Sequence, residues 1–196
     1  MKSLTKIITA TGIAGILLTT AIVIADDDRY EKNERHEKGY LGKFFSKKLD
    51  VAPVKNALYK EECGSCHFAY QPGLLPARSW TKMMGDLENH FDENAELDKD
   101  VQTKLTQYLV KNAADHANYK RSRRIMNSLS KTDSPLRITE TPYFIRKHNE
   151  IPKRMVKDNP KLGSFSKCAT CHTYAEKGSY DDDAVNIPGV GRWDDD

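Results

Sequence analysis

Outside residues 7–24 the sequence has no long apolar run, and apolar residues make up only 38% of the chain. For a bare protein that composition means a thin core, and no stretch reads as a fully buried strand. Strand–helix–strand alternation is absent too, which leaves thioredoxin-like redox chemistry without its usual context. No nucleic-acid-binding motif stands out, and the net charge is only +3, so the total charge points to no class of partner. Cysteine is scarce: there are four, and none lies outside two short pentapeptides.

Those pentapeptides are Cys63-Gly64-Ser65-Cys66-His67 and Cys168-Ala169-Thr170-Cys171-His172. Cys-x-x-Cys-His is the attachment pattern of c-type haem. Two thiols three positions apart can add to the two vinyl groups of one porphyrin, and the adjacent histidine can ligate the iron from one face. Two copies predict two covalent haems, bound through Cys63, Cys66, Cys168 and Cys171, with His67 and His172 as iron ligands. A four-cysteine zinc site is the rival. The histidine after each pair and the gap of about a hundred residues between pairs both fall outside zinc-ribbon spacing. Four thioethers would leave no thiol for a disulfide.

The N-terminus is consistent with export. Lys2 and Lys6 precede an apolar run over 7–24, and Val23-Ile24-Ala25 ahead of Asp26 fits signal-peptidase cleavage after Ala25. An uncleaved anchor over residues 7–24 is the alternative, at a length marginal for a membrane span. Thr9, Thr11, Gly12, Gly15, Thr19 and Thr20 weaken that alternative. Either way the bulk of the chain is expected in the periplasm, where c-type haem is attached. The mature chain would be residues 26–196, and two porphyrins would supply much of its missing apolar volume.

Charge is unevenly spread. Residues 120–167 hold thirteen Lys and Arg against four Asp and Glu, a net of +9, whereas 168–196 carry a net of −5. The basic block is expected to neutralise haem propionates and to form a docking face for an acidic partner.

Periodicity gives a mostly α chain. Residues 26–50 read as a charged arm. A helix is expected over 51–66, with Pro53 in its first turn and Val54, Ala57 and Leu58 on its apolar face, ending at the first motif. Ser79 is expected to cap a second helix with Trp80, Met83, Met84, Leu87 and Phe91 on one face, and His90 on it. Asp98 should cap a third, with Val101, Leu105, Tyr108 and Leu109 aligned, fraying near 113–116. A short basic helix is expected over 120–130 and another over 143–149. Pro135, Pro142, Pro152 and Pro160 break up the remainder, and the tail over 178–196 is expected to wrap the surface.

The first half resembles a small class I cytochrome c. The whole mature chain resembles the dihaem cytochrome c family of bacterial periplasmic electron carriers. The resemblance rests on Tyr59–His67, Leu74-Leu75-Pro76-Ala77-Arg78-Ser79-Trp80, His90-Phe91 with Asn94-Ala95, and Tyr108-Leu109 with Asn112-Ala113-Ala114-Asp115. In the second half it rests on Arg137–Phe144, His148, the motif over 168–172, and Ile187-Pro188-Gly189. It implies a class I cytochrome c-like domain over 51–118 and an irregular, loop-rich haem domain over 119–196. It also implies histidine on both faces of each iron, with His90 the choice for haem 1 and His148 for haem 2. Met83 and Met84 are the rivals of His90. His116 and His36 are weaker candidates, and crossed pairing of the ligands between domains stays open. The partner implied is another haem protein, in some relatives an oxygen-binding monohaem cytochrome c, with a membrane cytochrome as a candidate donor. No substrate chemistry and no nucleic acid are expected. The rival function is a dihaem enzyme or sensor, peroxidase-like or ligand-binding, with one open iron.

Overall fold

The computed structural model describes residues 49–193, which fall within one compact unit spanning 48–196. The expected signal segment, His36 and nearly all of the charged arm lie outside the described residues.

The chain enters extended. Asp50 and Val51 both donate their backbone N–H to the Gly178 carbonyl, at 2.9 and 3.1 Å, and Val51 is wholly buried. Gly178 has a φ of +78°, and a Cβ there would meet the Val51 carbonyl oxygen at 2.3 Å. Gly178→Ala should therefore destabilise the holoprotein by about 1–3 kcal/mol. Denaturant unfolding that matched wild type would contradict this.

Helix α1 spans Ala57–Gly64 and starts six residues later than expected. Asn56 is the reason: its side-chain oxygen accepts from the Tyr59 N–H at 3.0 Å and satisfies an N–H that the first turn cannot pair. Pro53 thus sits in the extended lead and not in a first turn. Helix α2, Ala77–Met84, is not capped by Ser79. Ser79 is buried inside the helix, and the first N–H, that of Ala77, donates to Asp115 Oδ1 at 2.9 Å from far along the chain. The helix stops at Met84, so His90 is not helical. It follows the 3-10 turn Leu87–Asn89 and opens a reverse turn in which Phe91 and Asp92 take left-handed backbone angles.

Helix α3, Lys99–Lys111, starts after Asp98 as expected, although the Asp98 side chain makes no capping hydrogen bond, and it packs on α2 with Leu105 and Leu109 buried. Gln102 ties the two by donating to the Met84 carbonyl. A first core forms around Tyr59, Trp80, Met84, Leu105 and Leu109.

The basic helix α4 is Lys120–Ser128 and buries only Ser122 and Ile125 completely. Helix α5, Pro142–His148, is capped by Thr141, whose hydroxyl accepts from Phe144 N–H. Helix α6, Lys153–Lys157, follows Pro152 and had no sequence expectation. Helix α7 is the single turn Cys168–Cys171. The tail does more than wrap the surface: β1 (Asn186–Ile187) pairs antiparallel with β2 (Gly191–Arg192). Val185 and Ile187 join Val156 and Leu162 in a separate small core.

A third core takes residues from both halves of the chain: Val51 and Leu74 meet Ile125, Tyr143, Ala175 and Tyr180. Buried Gln71 reinforces it. Its amide donates to the Ala175 carbonyl at 2.6 Å and its oxygen accepts from the Tyr180 hydroxyl at 2.5 Å.

Candidate haem-binding sites

Cys63 lies in the last turn of α1 and Cys66 just beyond it, so their spacing of three puts both thiols on one side of the chain. His67 follows at once. Its Nδ1 lies 2.8 Å from the Phe68 carbonyl, and a carbonyl only accepts. The hydrogen is therefore on Nδ1, and Nε2 keeps the lone pair an iron needs. The turn at 90–93 brings His90 opposite. The two imidazoles are 6.1 Å apart between ring centres, with planes 18° from parallel.

The second site repeats this scheme with different elements. Cys168 and Cys171 begin and end α7, and His172 follows. His148, at the end of α5, donates Nδ1–H to the Phe144 carbonyl at 2.9 Å, which again frees Nε2. Its ring centre lies 6.2 Å from that of His172, with planes 76° apart.

These separations test whether the residues fit a haem. An imidazole nitrogen binds a first-row metal at about 2 Å, and the nitrogen lies about 1 Å from its ring centre, so two rings on one iron stand about 6 Å apart. Rings in direct contact are much closer: Phe144 stacks on His148 at 3.8 Å and 12°. Both histidine pairs therefore stand at the spacing of rings with an atom between them. The pairs are local, His90 with His67 and His148 with His172.

At His90, His148 and His172 the surroundings favour the neutral imidazole, the form that can bind metal. Burial, then the neighbouring His67 and Arg137, push His90 below its ordinary pKa. Burial does the same to His148. His172 is lowered to about 4 by burial and by His148 and Arg121 close by. Burial pushes the Cys63 and Cys168 thiols up to about 11.

The sites differ in enclosure. Cys66 and His67 are exposed, so the first site lies open along one edge. The second occupies a cavity with about 1030 Å³ between its walls, open solvent at its mouth included. Cys168, Cys171, His172 and His148 all line it, together with Leu162 and Phe165. Among the described residues no three His, Cys, Asp or Glu side chains form a metal site of their own. Each imidazole pair could offer an iron two nitrogens, and a porphyrin would supply the other four.

The other candidate ligands lie elsewhere. Met84 is buried in the first core and Met83 packs against it. His116 is exposed and donates Nδ1–H to the Val110 carbonyl at 2.8 Å, near the end of α3.

The family model described as dihaem cytochrome c matches residues 59–180. This chain belongs to the dihaem cytochrome c family. A diheme cytochrome c of Shewanella baltica OS155 is 51% identical, covering 72% of this chain and 99% of its own, with a TM-score of 0.60. A diheme cytochrome c from Rhodobacter sphaeroides is 47% identical, covering 66% of this chain and all of its own, with a TM-score of 0.59. None of the curated proteins matches. The chain is a haem electron-transfer protein that carries two c-type haems.

Sequence reasoning gave no packing role around these histidines to several residues that the structure sets against them. Phe144 stacks on His148, and Phe165 meets it edge-on. Phe91 lies edge-on to His90, at 4.8 Å between ring centres, and carries the Arg137 guanidinium 3.9 Å above its own ring. Tyr180 packs against His172. Arg121 was counted only within the basic block, yet it is one of the cavity walls.

Proposed function

We propose that this dihaem cytochrome is a periplasmic carrier of single electrons in which both irons are closed by histidine on two faces: His67 with His90, and His172 with His148. The observation that carries the reading is the spacing of the two imidazole pairs, each near 6 Å, together with the Nδ1–H bonds that leave Nε2 of His67 and of His148 free.

The haems supply reversible one-electron chemistry when bound. The chain's own residues do the rest. Four cysteines anchor the macrocycles, and the carbonyls of Phe68 and Phe144 fix the tautomers of His67 and His148. Neutral imidazole on both faces favours the ferric state relative to a thioether ligand, which argues for low potentials. With both faces occupied, no iron position is open to peroxide or oxygen. An EPR spectrum of the ferric protein should show low-spin iron alone. A stoichiometric high-spin fraction would instead indicate an enzyme or sensor with an open iron.

Export is part of the same reading. The mass of the purified protein should equal residues 26–196 plus two haems. Retention of residues 1–25 would contradict cleavage after Ala25, and one haem would contradict the use of both motifs.

The partner we propose is an acidic haem protein that docks on the basic surface of α4. Arg123 and Arg124 are exposed there, and Arg124 rims a depression shared with Arg146 and Lys147. Exposed charges are screened beyond a Debye length of about 8–10 Å, so electron transfer should slow as salt rises. Arg123→Glu with Arg124→Glu should slow association at low salt while leaving both potentials nearly unchanged. Rates indifferent to ionic strength would contradict this docking face.

A further inference from the structure

Arg121 stands out among the cavity walls. It opens the first turn of α4, next to exposed residues, yet its own side chain is only 13% exposed. One amino group donates to the Tyr143 hydroxyl at 3.1 Å. The other donates to the Tyr180 carbonyl at 2.7 Å and lies 3.5 Å from Asp50 Oδ1. The guanidinium also lies 5.7 Å from the Tyr143 ring centre and 5.3 Å from that of Tyr180. These contacts hold the group in one place. Its Nε–H is nevertheless buried and meets no acceptor.

A buried charged donor without an acceptor is unfavourable, and an anionic oxygen is its best partner. The wall chemistry agrees. Arg121, Lys147 and Lys167 line the cavity against the single carboxylate of Asp182, which is already engaged at 2.9 Å by Lys147. A haem brings two carboxylates with it, on its propionate side chains. Arg121 shares the wall of this cavity with both His148 and His172.

We infer that Arg121 is a haem-binding residue: its Nε–H donates to a propionate carboxylate of the haem held at Cys168 and Cys171. The inference rests on the seating of the second haem in this cavity. It assigns Arg121 two roles, neutralising a carboxylate in a mostly apolar enclosure and adding positive charge near the iron. Positive charge stabilises the form that carries the extra electron, so Arg121 raises the potential of haem 2.

The test uses the two-haem protein with carboxyl-¹³C-labelled propionates. Redox-difference infrared spectra and haem-resolved potentials would be compared for wild type, Arg121→Lys, Arg121→Gln and Asp50→Asn. Arg121→Lys should shift the label-sensitive carboxylate bands with little change of potential, because charge is kept and Nε is lost. Arg121→Gln should shift the same bands and lower the potential of haem 2 while that of haem 1 stays put. Asp50→Asn removes a partner of the same guanidinium and should leave the bands in place, as a purely structural role for Arg121 would not predict. If Arg121→Gln fails to accumulate, Arg121→Lys decides. Wild-type bands in Arg121→Lys, or bands that move only in Asp50→Asn, would overturn the inference. A wild-type mass with one haem would instead overturn the seating on which it rests.

Discussion

Replacing His148 with alanine is expected to convert about half of the ferric haem iron from low-spin to high-spin, because on the proposed ligation one of two irons loses a histidine. Covalent attachment should survive, since the Cys168 and Cys171 thioethers do not depend on that face. The opened iron should bind carbon monoxide or cyanide readily, and its potential should rise. Haem 1 should keep its low-spin signal, because His67 and His90 form a separate pair. His90→Ala should give the mirror result. His116→Ala should change neither spectrum, since its imidazole is exposed and engaged with the Val110 carbonyl. EPR with ligand titration of the three variants distinguishes these outcomes. A wholly low-spin His148→Ala, alongside an iron opened by His116→Ala, would show the ligand assignment to be wrong.

How much of this was legible in the sequence depends on the range of the interactions involved. The two pentapeptides carry their chemistry locally, in spacings of three and four residues, and so can be read directly. Helix α3 has an apolar period that tertiary contacts do not alter, and both it and the basic helix α4 lie close to their expected positions. The errors fall where a distant residue takes over a local role. Ser79 has the composition of an N-cap, but Asp115 caps α2 from across the chain, and Ser79 is drawn into the core. The stripe from Trp80 to Phe91 continues past Met84 in sequence, yet the chain leaves the helix at Gly85 and folds His90 back toward His67. The tail was unreadable because its strands are two residues long, too short to show a period of two. Arg121 was hidden by its neighbours: within a block of net charge +9, nothing in the sequence separates one buried arginine from the exposed Arg123 and Arg124.

The second large effect is expected when haem 2 is removed altogether. With Cys168, Cys171 and His172 all replaced by alanine, the exported protein should carry one haem and lose ordered structure over residues 142–193, while α3 stays protected. Burial decides this. Val156, Leu162, Val185 and Ile187 form a core of only four buried side chains, and all four line the second cavity. Without the porphyrin each loses its partner on the cavity side, and fully burying one such side chain is worth about 1.5–3 kcal/mol. Four side chains together carry a term comparable with the whole stability of a typical domain, about 5–15 kcal/mol, so this small core should collapse or open to water. The first core is built differently. Leu105 and Leu109 of α3 pack on Trp80 and Met84 without drawing on the second cavity. Hydrogen exchange resolved by residue provides the measurement. Amides of Val156, Leu162, Val185 and Ile187 should exchange fast, and those of Leu105 and Leu109 slowly. Uniform loss of protection would mean that the core shared by Val51, Leu74, Ile125 and Tyr180 couples both sites into one cooperative unit. Full retention would mean that the polypeptide packs its second half without the haem, contrary to the argument from burial.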